Sequence, residues 1–227
     1  MTKWLSVLVI ALLIVLASAN LLAAEDVQGK AFKAAGPIVI DGDAAEWAEV
    51  IKPENALASN KPMVEAYVQW DEAALYFLVK VADTNFIVGT QGSFWNTDCV
   101  ELFLDGNNTK KSGYDKSCAQ FWFCLNNDGT TVYIGQWHRP GDAIDSSIFG
   151  GKVPDLEAAV AITKGTGYVM EIKIPAKNLK LDALAAGKQI GFNYTVNDTA
   201  SGNFYWAAGK NVNTFEKPKT WGTVTLQ

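Results

Sequence analysis

VEAYVQWDEAALYFLVKV, residues 64–81, is the stretch of sequence that decides the fold. Val64 to Trp70 and Leu75 to Val81 are rich in Val, Tyr, Phe and Trp, side chains that suit a pleated, half-buried surface. The polar pair Asp71-Glu72 lies between the two runs and favours a turn. The stretch therefore predicts two antiparallel strands joined as a hairpin.

The same pattern continues along the rest of the chain. Turn sequences such as Asp105-Gly106-Asn107-Asn108 and Lys164-Gly165-Thr166-Gly167 separate further short apolar runs. About ten short strands at this spacing are typical of a sandwich. We predict an all-β fold, an antiparallel β-sandwich of two packed sheets in the immunoglobulin or jelly-roll style. The further predicted strands are residues 99–104, 119–125, 131–134, 156–163, 168–174, 189–196, 204–207 and 223–226.

Residues 1–24 have the features of a secretory signal peptide. An apolar run extends from Leu5 to Leu16, and small residues offer cleavage after Ala19 or Ala24. The run is shorter than the roughly 20 residues that span a bilayer, which disfavours the alternative of a membrane anchor. We expect a secreted or periplasmic protein with no membrane attachment after cleavage. No repeat or linker interrupts residues 25–227, which we predict to be a single domain.

Charge and cysteine content exclude some classes of function. The formal net charge of −5 disfavours nucleic acid as a partner, because phosphate binding needs a basic face. A single His and the absence of a CxxC pair disfavour zinc. Cys99, Cys118 and Cys124 allow at most one internal disulfide. Cys118 and Cys124 are predicted to lie apart on one strand, and each thiol is expected to be a small buried side chain.

The acidic residues give little support for catalysis. Glycosidases need two carboxylates at a fixed separation. Asp98 and Glu101 are close in sequence, but three positions along a strand place them on opposite faces. The sequence also has no Gly-x-Ser-x-Gly elbow for a serine nucleophile. We predict that the protein is not an enzyme.

Two acidic turns resemble parts of calcium-binding loops. They are Asp41-Gly42-Asp43 and Asp105-Gly106-Asn107-Asn108. Asp41, Asp43 and Asp105 are therefore candidate ligands of a structural calcium ion, with simple turns as the alternative. The sequence implies no other cofactor.

Two aromatic residues lie in polar loops. Trp95 occurs in Gly92-Ser93-Phe94-Trp95-Asn96, and Phe215 ends Asn211-Val212-Asn213-Thr214-Phe215. The C–H bonds on one side of a pyranose ring pack on an aromatic ring, while the sugar hydroxyls need polar neighbours. A loop aromatic beside Asn, Asp and Glu meets both needs. Sugar binding is one interpretation, and packing of the rings into the core is the alternative.

Taken in order, the motifs resemble the family 9 carbohydrate-binding modules, which are β-sandwiches best known as parts of xylanases. The resemblance covers roughly residues 36–226. Its motifs are Ile38-Val39-Ile40-Asp41-Gly42-Asp43, Glu46-Trp47, Val68-Gln69-Trp70-Asp71-Glu72, Leu75-Tyr76-Phe77, Trp95 with Asp98-Cys99-Val100-Glu101-Leu102-Phe103-Leu104-Asp105, Ala119-Gln120-Phe121, Gly167-Tyr168-Val169-Met170-Glu171, Gly191-Phe192-Asn193 and Val196-Asn197-Asp198.

The resemblance implies a binding site. In sugar-binding members two aromatic rings clamp the terminal sugar of a chain, and these positions match Trp95 and Phe215. A carboxylate that accepts sugar hydroxyls matches Glu101. The resemblance therefore implies a non-catalytic module that binds the end of an oligo- or polysaccharide.

Other positions depart from the family pattern. The positions of an Arg and an Asn contact carry Trp122 and Cys124, and the position of a Gln contact carries Thr195. We expect Trp122 to add a third aromatic surface, and Thr195 remains a candidate sugar-binding residue. Buried polar contacts decide which hydroxyl pattern a site accepts, so the family's preference for cellulose-like or xylan-like chain ends is not carried over.

Two alternative functions stay open. Related sandwiches that resemble the cytochrome domains of extracellular dehydrogenases bind a b-type haem, which here would require His138 with Met63 or Met170 as ligands. The other alternative is an envelope scaffold protein that does not bind sugar.

Overall fold

A computed structural model of the protein describes residues 26–88, 96–126, 128–137, 153–209 and 212–227. The predicted signal peptide and the predicted site residue Trp95 lie outside these ranges. Within them the structure has eleven strands and five short 3-10 helices, and no helix has the length and apolar character to cross a membrane. The strands are β1 Gln28–Lys33, β2 Val64–Trp70, β3 Ala74–Val81, β4 Cys99–Asp105, β5 Cys118–Leu125, β6 Val132–Gln136, β7 Glu157–Thr163, β8 Gly167–Pro175, β9 Gln189–Asp198, β10 Gly202–Tyr205 and β11 Gly222–Leu226; the 3-10 helices are Ala45–Trp47, Pro53–Asn55, Ala176–Leu179, Thr214–Glu216 and Pro218–Thr220.

The strands pair in the order β6-β5-β4-β9-β11-β1-β2-β3-β8-β7, with β10 on β9. The all-β prediction is confirmed, but the prediction of purely antiparallel sheets is wrong. β1 pairs in parallel with β11 through residues 28–31 and in parallel with β2 through Phe32 and Lys33. One strand thereby joins a first sheet, β6 to β11, to a second sheet, β2 to β7. The result is a mixed sheet whose two halves face each other.

The core lies between the two halves. Alternate residues of every long strand contribute to it, as the period of two in a strand requires. Phe77 of β3 contacts two rings of β9, with ring centroids 5.8 Å from Phe192 and 5.4 Å from Tyr194. Each such ring pair adds about 0.5–1.5 kcal/mol beyond burial. These contacts hold β9 against β3 across the core.

The segment before β2 covers the outer side of the second sheet. Trp47 and Val50 pack on Tyr67, Tyr76 and Leu78 in a small apolar cluster. The turn predicted as a calcium loop lies beside it, where the backbone N–H groups of residues 41 and 42 donate to Oε2 of Glu171 at 3.1 and 2.8 Å. The first family motif therefore folds as a cover for this sheet.

Candidate functional site

The outer side of β4, β5 and β9 carries a row of polar and aromatic side chains. Val100, Leu102 and Leu104 of β4 point into the core, so the residues between them point the other way. The same alternation holds in β5 and β9. We call this surface the polar face, and its residues, all at most 5% exposed, are Glu101, Gln120, Trp122, Asn193, Thr195 and Asn197.

Glu101 lies at the centre of the polar face. It is opposite Trp122 on β5 and Thr195 on β9. Asn197 Nδ2 donates to its Oε1 at 2.6 Å, and Gln120 Nε2 donates to its Oε2 at 2.7 Å. Hydrogen bonds from two neighbouring strands hold the carboxylate plane in one orientation. Such charge-assisted bonds are about twice as strong as neutral ones.

Thr195 is beside Glu101 and is 2% exposed. Within the described part of the chain, its hydroxyl has no hydrogen-bond partner. An unpaired buried hydroxyl costs about 1–3 kcal/mol, and such groups are rare in native proteins. The hydroxyl is therefore an available donor and acceptor next to a fixed carboxylate.

Trp122 is on the polar face but is only 1% exposed. Its indole lies directly against Gly135 of β6, where an added Cβ would collide with the ring. Glycine at 135 therefore leaves the space that the Trp122 indole occupies. The structure brings Trp122 opposite Glu101 on the neighbouring strand, and its role as a third aromatic surface stays a prediction.

Phe215 is presented by a loop that the polar face anchors. Asn193 Nδ2 donates to the Ala208 carbonyl at 2.7 Å and to the Thr214 hydroxyl at 3.0 Å. Thr214 is buried, and its carbonyl accepts a bond from Trp221 Nε1 at 2.7 Å. The next residue, Phe215, is 42% exposed. A buried amide two positions from Thr195 therefore holds the base of an exposed aromatic.

Asp98 anchors the chain on the other side of the face, just after the segment that contains Trp95. The backbone N–H of Ile87 donates to its Oδ2 at 2.6 Å, and that of Thr199 donates to its Oδ1 at 3.1 Å. Burial raises the pKa of Asp98 to about 6, and the charges of Asp83 and Asp198 also raise it, while the two backbone donors lower it. Asp98 thus accepts from backbone N–H groups, whereas Glu101 accepts from side-chain amides.

The predicted calcium ligands lie in two different places. Asp41 accepts a bond from the backbone N–H of Asp43 at 2.8 Å, within one exposed turn. Asp105 is buried at the end of β4, where it accepts bonds from the backbones of residues 107 and 109 and from the hydroxyls of Thr109 and Ser117. Both arrangements stabilise turns, and calcium binding stays a prediction.

Among the residues that the structure describes, one group of side chains has ligand atoms close enough to share an ion: Asp105, Asp115 and Cys118. The third member is a thiol, whereas calcium takes oxygen ligands. The Asp115 carboxylate already accepts bonds from Lys111 Nζ and from Ser117. These donors, the Lys111 ammonium first, lower the pKa of Asp115 to about 2.

Two of the three residues of the haem alternative lie in the described part of the chain. Met170 is fully buried in the core on β8, and Met63 packs at the edge of that core. His138 lies outside the described residues.

Sequence reasoning did not single out the amides that build the polar face. Two strands contain these amides: β5 has Gln120, and β9 has Asn193 and Asn197. The side of each strand that faces the core is apolar, and the amides lie on the other side. A polar residue at alternate positions of a buried strand was the available signal. To recognise that these polar residues form one face, one must know that β4 lies between β5 and β9, and local patterns do not show the strand order.

Comparison with known proteins places this arrangement in a family. A family model described as carbohydrate family 9 binding domain-like matches residues 41–227. The chain belongs to this family. The match includes every residue of the polar face and Phe215.

Relatives of this family 9 module include parts of large enzymes. It is 30% identical over 202 residues to endo-1,4-beta-xylanase A of Thermotoga maritima. The aligned region covers 84% of this chain and 17% of that protein. It is 29% identical over 142 residues to exoglucanase XynX of Acetivibrio thermocellus, which covers 63% of this chain and 11% of that protein. The module therefore spans less than a fifth of the length of these relatives.

Solved structures of family 9 modules share the fold. Two structures of a module from Caldicellulosiruptor kristjanssonii, one in complex with cellotriose and one with glucose, match with a TM-score of 0.64 and 20% identity. Each match covers 88% of this chain and 94% or 95% of the other. Both neighbours are carbohydrate-binding modules with bound sugar.

Proposed function

We propose that this module is exported and binds the end of an oligo- or polysaccharide on the polar face without cutting it. The single observation that carries the proposal is the unpaired, buried hydroxyl of Thr195 beside the oriented carboxylate of Glu101. A sugar supplies adjacent hydroxyls that both donate and accept. One could pair with Thr195 while its neighbour donates to Glu101.

Aromatic stacking would supply the apolar part of the binding energy. The family position of one ring is Trp95, and that of the other is Phe215, which is exposed on an anchored loop. Two rings that clamp a terminal sugar favour a chain end over an internal unit. Family membership and the sugar complexes of structural neighbours support this interpretation.

The sugar preference would differ from that of relatives with more polar sites. Trp122 and Cys124 occupy positions where the family has Arg and Asn contacts, and both are buried. Fewer polar side chains would then form hydrogen bonds with the hydroxyls of the sugar. Sites built on hydrogen bonds discriminate strongly, whereas apolar contacts discriminate weakly. We therefore propose tolerance of several hydroxyl patterns.

The identifying experiment is a glycan array on the purified chain, followed by calorimetry with the strongest binders. Cello- and xylo-oligosaccharides with free and with chemically reduced ends would be compared, because reduction removes the terminal ring. An absorbance spectrum of the same sample tests the haem alternative. Failure to bind any glycan, with no haem absorbance, would favour the scaffold alternative.

Thr195→Val tests the observation that carries the proposal. Val keeps the shape and removes a hydroxyl that has no partner in the described structure, so we expect the melting temperature to stay the same or rise. Loss of one hydrogen bond to sugar should weaken binding about tenfold, as measured by calorimetry.

Thr223→Val is the matched control. Thr223 is equally buried, but its hydroxyl donates to Asp26 at 2.6 Å. This variant should lose stability and keep its affinity. Unchanged affinity in Thr195→Val would refute the assignment of Thr195 to the site.

A further inference from the structure

Cys99 and Cys124 lie directly opposite each other on β4 and β5. The same pairing continues to the far end of the two strands, where the N–H of Gly106 donates to the carbonyl of Ser117 at 3.0 Å. Hydrogen-bonded and non-hydrogen-bonded pairs alternate in an antiparallel ladder. Cys99 and Cys124 are therefore a non-hydrogen-bonded pair, in which Cα atoms are about 4.5 Å apart and side chains are close.

This separation is within the range that a disulfide tolerates, about 4.4–6.8 Å between Cα atoms. The two sulfur atoms are 3.1 Å apart and unbridged in the structure. Both side chains are buried in a small cluster with Trp122 and Tyr133. Forming the bond needs only a small movement of two side chains.

Cys118 has no comparable partner among the described residues. It is on β5, six residues before Cys124, which corresponds to about 20 Å along a strand. Its sulfur lies 3.8 Å from a carboxylate oxygen of Asp115. Burial raises the pKa of Cys118 to about 12, so its thiol is a poor nucleophile. The odd cysteine count thus resolves into one pair and one inert thiol.

We propose that Cys99 and Cys124 form a cross-strand disulfide that ties β4 to β5 beside Glu101 and Trp122. The pair loses two electrons and two protons as the S–S bond forms. A disulfide oxidant such as oxidised glutathione accepts them and leaves as two thiols. The bridge would hold the first two strands of the polar face in register, whether or not that face binds sugar.

Folding is the stage at which the bond forms most readily. Burial and the neighbouring Cys124 sulfur raise the pKa of Cys99 well above its usual value, and the thiolate is the form that attacks an oxidant. In the unfolded chain both thiols are solvated and ionise normally. Refolding in the presence of the oxidant is therefore the condition for the test.

The test is differential alkylation of the full chain. The protein is refolded with oxidised glutathione, unfolded again without reductant and treated with iodoacetamide, and its mass is measured. A second portion is then reduced and treated with iodoacetamide again, and its mass is measured in the same way. One alkylated cysteine before reduction and three after are expected. Trypsin should then release residues 81–110 linked to residues 117–152, since Arg139 precedes a proline.

Three variants assign the bond. Cys118→Ala, the matched control, should keep the linked peptides and show no alkylation before reduction. Cys99→Ala and Cys124→Ala should each show two alkylated cysteines under the same conditions. Alkylation is carried out in denaturant, so every cysteine outside a disulfide is labelled whether it is buried in the fold or not. Three alkylated cysteines in the unreduced wild type, or loss of the link in Cys118→Ala, would overturn the proposal.

Discussion

The two outer faces of the molecule each contain one buried glutamate in the middle of a strand, and the two glutamates have different surroundings. Glu171 on β8 accepts bonds from Trp47 Nε1 at 2.7 Å and from the backbones of residues 41 and 42. All these donors belong to the segment that covers the second sheet. We call this side, with Tyr67, Tyr76, Leu78 and Glu171, the closed face.

On the polar face, Glu101 is held by side-chain amides of strands within the same sheet. The neighbouring hydroxyl of Thr195 has no partner among the described residues. On the closed face the carboxylate binds a covering segment of the chain. On the polar face the carboxylate is held by amides of its own sheet, and the hydroxyl beside it still has hydrogen-bonding capacity. A buried carboxylate therefore indicates a binding site only when its neighbours have hydrogen-bonding capacity left.

The same substitution at both glutamates tests the comparison. Glu171→Gln leaves one acceptor oxygen where two are used, so either Trp47 or the backbone of Asp41 and Gly42 loses its partner. We expect the free energy of unfolding to fall by about 2 kcal/mol, measured by urea denaturation. Sugar affinity of the folded protein should not change.

Glu101→Gln should have the opposite outcome. Gln120 and Asn197 bind it through side-chain amides, and the amide of Gln120 can turn to present its oxygen to the new amide. Stability should change by less than about 1 kcal/mol, while loss of a charged acceptor should weaken sugar binding 10- to 100-fold. Equal effects of the two substitutions on affinity would contradict the distinction between the faces.

The aromatic residues of the proposed site provide a second test of the polar face. Trp95→Ala should abolish detectable glycan binding, and Phe215→Ala should weaken it about tenfold, or by about 1.4 kcal/mol, because one apolar contact with the sugar is lost. Phe215 is 42% exposed, so its removal should change the melting temperature little.

Val39→Ala is the matched control for the aromatic variants. Val39 is 52% exposed and lies in the segment that covers the second sheet. This variant should leave both affinity and melting temperature unchanged. A large loss of stability in Trp95→Ala would identify Trp95 as a core residue and would remove it from the site.

Most of the strands could be predicted because a short run of apolar, β-branched and aromatic residues indicates a strand by itself. The hairpin of residues 64–81 was predicted from its apolar runs and forms as β2 and β3, one residue longer at Ala74. β1 was missed because Gln28–Lys33 is polar and buries only Ala31 fully. Its parallel pairing with two strands cannot be read from sequence, since parallel neighbours here are more than thirty residues apart.

The site was less predictable than the fold. Glu101 and Thr195 came from the family resemblance, and the structure brings them side by side although 94 residues separate them. The opposition of Cys99 and Cys124 depends on strand register, which follows from the turn between β4 and β5 and from the alternation of core residues. Asp98 was considered only as a catalytic acid, because nothing local shows that it binds the backbone of Ile87 and Thr199.

The smallest effect expected is a pH dependence of stability at Asp98, which fastens the polar face to its flanking loops. Its pKa is raised to about 6 in the folded protein, above its ordinary value near 3.9 in an unfolded chain. The stabilisation that its protonated form contributes is therefore complete below about pH 4 and is lost as the pH rises through 6. From pH 5 to pH 7, the free energy of unfolding of the wild type should fall by about 1 kcal/mol relative to Asp98→Asn.

Asp128→Asn serves as the control for this measurement. Asp128 is an exposed turn residue whose pKa is lowered to about 2, first by the Thr131 hydroxyl and then by the backbone of residues 130 and 131. A lowered pKa gives stability that is present above about pH 4 and lost only toward pH 2. The difference between wild type and this variant should stay constant from pH 5 to pH 7. If the Asp98→Asn difference is equally flat, Asp98 does not titrate in this range, and its charge is stabilised by the two backbone donors more strongly than burial opposes it.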